Sequence, residues 1–217
     1  MSEKGVKPDL TRPVLMAGAP LDRATAAMVM IHGRGASARD ILVNVPALDA
    51  PDFAYLAPEA PDHTWYPYPF RAPLQDNEPY LSASLAVIAD IMAYLTRTGL
   101  APEQIVLFGF SQGACLILEY AARNARRYGG VVGLSGGLIG PDGLQRDDPG
   151  SLAGTPVFLG CSDVDPHIPK QRVEHAVNHL RALGGVVTMR LYPNMPHTIN
   201  EDEIEFVRGL MANVKTR

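Results

Sequence analysis

Continuous apolar runs alternate with amphipathic stretches along almost the whole chain. Ala26 to Ile31 (Ala-Ala-Met-Val-Met-Ile) and Ile105 to Phe108 carry no polar residue. Such runs predict strands covered on both faces, because a strand with one wet face would alternate. Phe53 to Leu56, Gly130 to Leu134, Thr155 to Gly160 and Val186 to Tyr192 read as further strands, with 14 to 18 as a short edge strand. Between them the period changes. Leu81, Leu85, Ile88, Met92 and Leu95 recur at spacings of four and three, which predicts an amphipathic helix that stops near Gly99.

Ser37 has the character of an N-cap for a helix running to about Val45. Small and apolar residues after Gly113, with Leu116, Leu118 and Ala121, predict a helix to about Arg127. Lys170 to Leu183 places Val173, Val177 and Leu180 on one side. Asn200 and Glu203 form a capping-box pattern ahead of Ile204, Val207, Leu210 and Val214. Two long irregular segments remain: the proline- and aromatic-rich Asp62 to Asn77, and Ser135 to Leu152. The alternation predicts an α/β fold with a mainly parallel sheet and helices on both faces.

Length adds that 1–217 forms a single domain, with 1–12 as an N-terminal tail, since a chain this long buries about 70% of its unfolded surface in one core. A net charge of −4 provides no basic footprint for nucleic acid. Cys115 and Cys161 are too few for a disulfide scaffold and sit in apolar contexts, which predicts buried free thiols. The N-terminus lacks the apolar core of a signal peptide, and no stretch approaches the ~18 apolar residues of a membrane span. The expectation is a cytoplasmic protein without integral membrane association.

Chemistry concentrates at Gly109-Phe110-Ser111-Gln112-Gly113, between a strand and a helix. A serine in such a turn is forced into a strained backbone conformation that exposes its hydroxyl at the carboxyl edge of the sheet. A serine hydroxyl needs a general base and a group that orients the base. Of six histidines, His197 follows the last strand and reaches that edge. His63 and His167 lie in loops and suit a pocket lining, and His175 and His179 read as a solvated helix face rather than metal ligands. The loop after Gly160 offers Asp163 and Asp165, and the order Ser, Asp, His is that of a nucleophile-elbow hydrolase. For the oxyanion, the N–H of Gln112 lies at a helix N-terminus, and the turn His32-Gly33-Arg34-Gly35 supplies the N–H of Arg34.

Four motifs together, His32-Gly33-Arg34-Gly35, Gly109-Phe110-Ser111-Gln112-Gly113, Asp165-Pro166-His167-Ile168-Pro169 and Pro196-His197, resemble the signatures of the phospholipase/carboxylesterase family, which includes the acyl-protein thioesterases, in the α/β-hydrolase superfamily. The resemblance runs from about residue 26 to the end. It implies an α/β-hydrolase fold without a large cap domain, favours Asp165 over Asp163 as the acid, and matches Trp65 to a family tryptophan. The sequence departs at Arg34, where the thioesterases carry an apolar residue, and at Cys161-Ser162, where they carry His-Gly. Arg34 then serves either to bind a substrate carboxylate or to face solvent.

The expected function is a serine hydrolase of carboxylic esters with short or medium acyl or aryl groups, with thioesters and lysophospholipids as related substrates. It uses Ser111, His197 and Asp165, with Arg34 and Gln112 at the oxyanion, and requires no cofactor or metal. Trp65, Tyr66, Phe110, His167 and Met195 are expected to contact the substrate. Two rivals are a dienelactone- or hydroquinone-related hydrolase and a non-catalytic binding protein of the same fold. The partner is a small-molecule ester, and the resemblance also allows a homodimer.

Overall fold

In a computed structural model, which describes residues 13–214, seven strands form one sheet in the order β1-β3-β2-β4-β5-β6-β7. The strands are β1 (Val14–Gly18), β2 (Ala26–Ile31), β3 (Phe53–Pro58), β4 (Ile105–Phe110), β5 (Gly130–Leu134), β6 (Pro156–Ser162) and β7 (Val186–Tyr192). Only β1 runs antiparallel to its neighbour; every other pairing is parallel. The expected tail, 1–12, lies outside the described residues.

The helices are α1 (Ala38–Leu42), α2 (Val45–Leu48), α3 (Tyr80–Arg97), α4 (Gln112–Arg123), α5 (Lys170–Ala182) and α6 (Glu201–Ala212). Successive side chains of a strand point to opposite faces, so each central strand feeds two cores. Val29, Leu107, Val131 and Leu159 pack on one side with Leu81, Ile88 and Leu95 of α3, Leu118 of α4 and Val173 of α5. Met28, Met30, Phe108, Val132 and Phe158 pack on the other with Ile41 of α1, Leu48 of α2 and Val207 of α6. That double coverage explains why β2, β4 and β5 read as unbroken apolar runs.

Two helix boundaries differ from the sequence expectation. The segment expected from Ser37 to about Val45 is two short helices, because Pro46 stands in the first turn of α2 and cannot donate to a preceding turn. Helix α4 stops at Arg123 rather than near Arg127: the Asn124 carboxamide folds back onto the Tyr120 carbonyl at 3.0 Å, competing with the helical ladder. Among the described residues, no helix or strand lies between Leu134 and Pro156, and no large cap stands over the sheet.

The irregular segment 135–155 is instead held by buried charge. Glu119 of α4 is fully buried and accepts from Ile139 N at 3.0 Å and from both terminal nitrogens of Arg146 at 3.0 Å. Arg146 also binds Asp148, which pairs with His179 at 2.7 Å. His179 is thus tied into an ion network, not on a solvated face as expected. Its partner lies in a loop, where no spacing rule reveals it.

Candidate active site

Ser111 links β4 to α4 with φ 55° and ψ −119°, a backbone conformation that costs a non-glycine residue of order 1–3 kcal/mol. Two bonds fix it: Ser111 N donates to Leu134 O at 2.9 Å, and Cys115 N donates to Ser111 O at 3.0 Å. The flanking glycines make the close approach possible. A Cβ at Gly109 would strike the Gly113 backbone, and one at Gly113 would strike the Ile31 and His32 carbonyls. The helix therefore starts directly against β2 and β4.

The Ser111 Oγ lies 2.9 Å from His197 Nε2, and His197 Nδ1 lies 2.7 Å from Asp165 Oδ2. The carboxylate partner puts the imidazole proton on Nδ1 and leaves Nε2 to accept from the serine hydroxyl. Asp165 is itself oriented, since its Oδ1 accepts from His167 N at 2.8 Å and Ile168 N at 2.9 Å. Burial raises the Asp165 pKa, but the His197 bond and these two N–H groups outweigh it, and the carboxyl sits below its ordinary value. It is held ionised. Asp163, the other candidate from sequence, accepts from Asn194 N at 2.8 Å and so anchors the loop that carries His197. The His197 ring is flanked by Phe110 at 5.0 Å and His167 at 4.9 Å between centroids.

The turn after β2 lies alongside. His32 is fully buried; its Nδ1 bonds Gly33 O at 2.8 Å while Nε2 accepts from Ala60 N at 3.1 Å. Burial lowers its pKa, more than the Gly33 carbonyl and Glu59 raise it, so the ring is neutral. Within the turn, Gly35 N is taken by His63 O at 2.7 Å and Ala36 N by Gly33 O at 3.2 Å, and the Arg34 N–H stands outside these bonds. Gln112 is the first residue of α4, so its N–H is also free of the helical ladder.

A cavity of about 430 Å³ opens over Ser111. Of the residues expected to contact the substrate, Tyr66 and His167 line it. Three do not. Trp65 is buried, its indole N–H donating to His32 O at 2.9 Å, and it supports the turn after β2. Phe110 packs on His197 and faces a neighbouring groove. The Met195 sulfur rests 2.8 Å from Asn200 Nδ2, which fixes the His197 loop to the start of α6.

Arg34 is at the cavity rim and exposed, in keeping with the solvent-facing alternative. Its guanidinium donates to the carbonyls of Tyr66, Pro67 and Tyr68 at 2.8, 3.0 and 3.1 Å. Pro67, Pro69, Phe70, Cys115 and Ile168, which sequence reasoning did not place, complete the lining. Their signal was the proline-rich loop itself, together with Cys115 one helical turn after Ser111. Both cysteines are buried free thiols, as expected. Among the described residues, no group of three or more His, Cys, Asp or Glu could hold a metal ion, and no helix is long and apolar enough to cross a membrane.

Comparison with known proteins places this arrangement in context. A family model described as phospholipase/carboxylesterase matches residues 15–214. Acyl-protein thioesterase 1 of Gibberella zeae is 31% identical over 118 residues, covering 52% of this chain and 49% of that protein. The same-named protein of Saccharomyces cerevisiae is 34% identical over 109 residues, or 49% and 48% of the two chains. The chain spans about half the length of the curated relatives it matches. Among solved structures, a phospholipase/carboxylesterase from Dyadobacter fermentans superposes with a TM-score of 0.90 at 41% identity, over 94% of this chain and 98% of that one. Esterase PE8 superposes with a TM-score of 0.77 at 25% identity, over 95% and 99%.

Proposed function

The chain belongs to the phospholipase/carboxylesterase family, and from that premise we propose that it is a serine hydrolase that cleaves carboxylic esters of short or medium acyl or aryl acids through an acyl-enzyme. The observation that carries the reading is the hydrogen-bonded series from Ser111 Oγ through His197 to Asp165. Ser111 Oγ attacks the acyl carbon as its proton passes to His197 Nε2. The oxyanion that forms takes the N–H groups of Arg34 and Gln112, where the start of α4 adds a favourable dipole. Collapse breaks the bond to the leaving alcohol, which takes the proton from His197. Water then enters with His197 as base, the acid is released, and Ser111 regains its proton. Asp165 remains ionised throughout and stabilises the imidazolium.

The acyl group occupies the cavity walled by Tyr66, Pro67, Pro69, Phe70 and Ile168, with His167 on the leaving-group side beside His197. Thioesters and lysophospholipids, whose acyl carbon follows the same two steps, are further substrates in this reading. Arg34, with its guanidinium committed to three carbonyls, gives no support to a carboxylated dienelactone-type substrate. A binding protein without activity would have no use for an oriented Ser-His-Asp series. Burial pushes both thiols up to about 12, which suits a cytoplasmic protein whose cysteines stay reduced and inert. The unit is the single domain expected over 1–217; a homodimer is supported by family resemblance alone.

Initial rates on p-nitrophenyl acetate and butyrate test the reading. Turnover that disappears in Ser111→Ala supports it. No turnover, or turnover unchanged in that variant, rejects it.

A further inference from the structure

Both residues assigned above as oxyanion donors, Arg34 and Gln112, send their side chains to the same short stretch of chain. The Gln112 carboxamide accepts from Trp65 N at 3.0 Å and donates to Tyr66 O at 2.8 Å. The Arg34 guanidinium donates to Tyr66 O at 2.8 Å, and also to the carbonyls of Pro67 and Tyr68. The Tyr66 carbonyl therefore takes one bond from each. The same stretch forms a wall of the cavity through Tyr66, Pro67, Pro69 and Phe70. It is braced from behind by Ser84 Oγ on Trp65 O at 2.7 Å and by Asn77 Oδ1 on Tyr68 N at 2.9 Å.

A guanidinium is a planar, permanently charged fork, and three carbonyls fix its plane relative to them. Two wall positions are prolines, so the stretch has few backbone torsions free to absorb a shift. The Gln112 link is buried, whereas the Arg34 links to Pro67 and Tyr68 are exposed and water can replace them. Losing the guanidinium would thus release Pro67 and Tyr68 from the turn after β2, while Trp65 stays held by His32 O and Gln112 in the core.

We propose that Arg34 is a positioning residue that joins the acyl wall to the oxyanion turn as one unit, so that an acyl group which fits the wall sets both oxyanion donors and acyl discrimination is expressed in kcat rather than KM. The inference rests on the hydrolase reading above. It follows the rule that binding energy realised only in the transition state raises kcat. An acyl group that leaves the wall unfilled binds, but reacts with donors that are less well placed. A donor displaced by about 1 Å costs up to ~100-fold.

The test measures kcat and KM separately for p-nitrophenyl acetate, butyrate and octanoate, with wild type, Arg34→Leu and Arg34→Lys. Lysine keeps the charge but cannot span three carbonyls. In the wild type the spread among esters is expected in kcat. Both variants should lose roughly 10-fold in kcat on the best ester, and their kcat spread should narrow to within about twofold, since the best-fitted group has most to lose. Their melting temperatures should stay close to wild type. If Arg34→Leu does not fold, Arg34→Lys carries the comparison. A wild-type spread in KM, a variant spread unchanged, or a loss by the same factor for every ester overturns the coupling. A wild type that hydrolyses none of the esters removes the hydrolase reading itself, which is a different outcome.

Discussion

Glu203 offers a prediction whose size can be worked from the structure. It is the third residue of α6, fully buried; its Oε2 accepts from Asn200 N at 2.9 Å, while Oε1 is buried without a partner against Gly160. Burial pushes its carboxyl up to about 7, with Asp202 adding to the rise and the Asn200 N–H opposing it. The folded protein therefore holds a proton that the unfolded chain, near 4.5, releases. Stability from this group is fully present below pH 4.5, falls as pH rises, and is lost once pH passes about 7. Each tenfold in proton affinity is worth about 1.4 kcal/mol, so the loss amounts to about 3 kcal/mol.

Glu203→Gln removes the titration and keeps the bond to Asn200, since glutamine also completes a capping box. Denaturant unfolding of both proteins between pH 4.5 and 8 should show the variant gaining on the wild type by about 3 kcal/mol across that range. That is roughly 6–12 °C in Tm, at about 2–4 °C per kcal/mol for a chain of this size. Any fixed cost of placing an amide beside Gly160 shifts the whole curve and leaves its slope alone. Parallel curves for the two proteins across this range would refute the reasoning.

Three more outcomes are expected. Asp165→Asn should lower kcat on p-nitrophenyl butyrate by about 10³- to 10⁴-fold with little change in KM, because the amide favours the wrong imidazole tautomer. Gly113→Ala puts a methyl group against the Ile31 and His32 carbonyls and should cost at least the ~1–3 kcal/mol of an overpacked core in urea unfolding. Glu119→Leu leaves Arg146 buried with only Asp148 as an ionic partner, and should cost about 3–5 kcal/mol, read as a lowered Tm.

What was legible in the sequence follows from the physics of each feature. Strands β2, β4 and β5 were readable because helices cover both faces, so their apolar runs are unbroken. The elbow was readable because its backbone demands glycine at Gly109 and Gly113. Asp163 and Asp165 could not be separated by position alone, since both lie at the same edge; only their hydrogen bonds assign one to a backbone N–H and the other to His197. Arg34 is exposed, as one of its two expected roles had it, but its partners were hidden because they are backbone carbonyls, which leave no trace in residue identity. Glu119 and Arg146 are 27 residues apart and meet only once the fold forms. Trp65 and Met195 were expected at the substrate because aromatic and apolar loop residues often line pockets, yet they serve as supports, for the turn after β2 and for the His197 loop.

The central claim is that Ser111 is a live nucleophile activated by His197. Reaction with a fluorophosphonate, followed by peptide mass mapping, addresses it without knowledge of the natural ester. One adduct is predicted, on Ser111, absent in Ser111→Ala and formed much more slowly in His197→Ala. No adduct on the folded wild type, or an adduct whose rate His197→Ala leaves unchanged, would contradict the account.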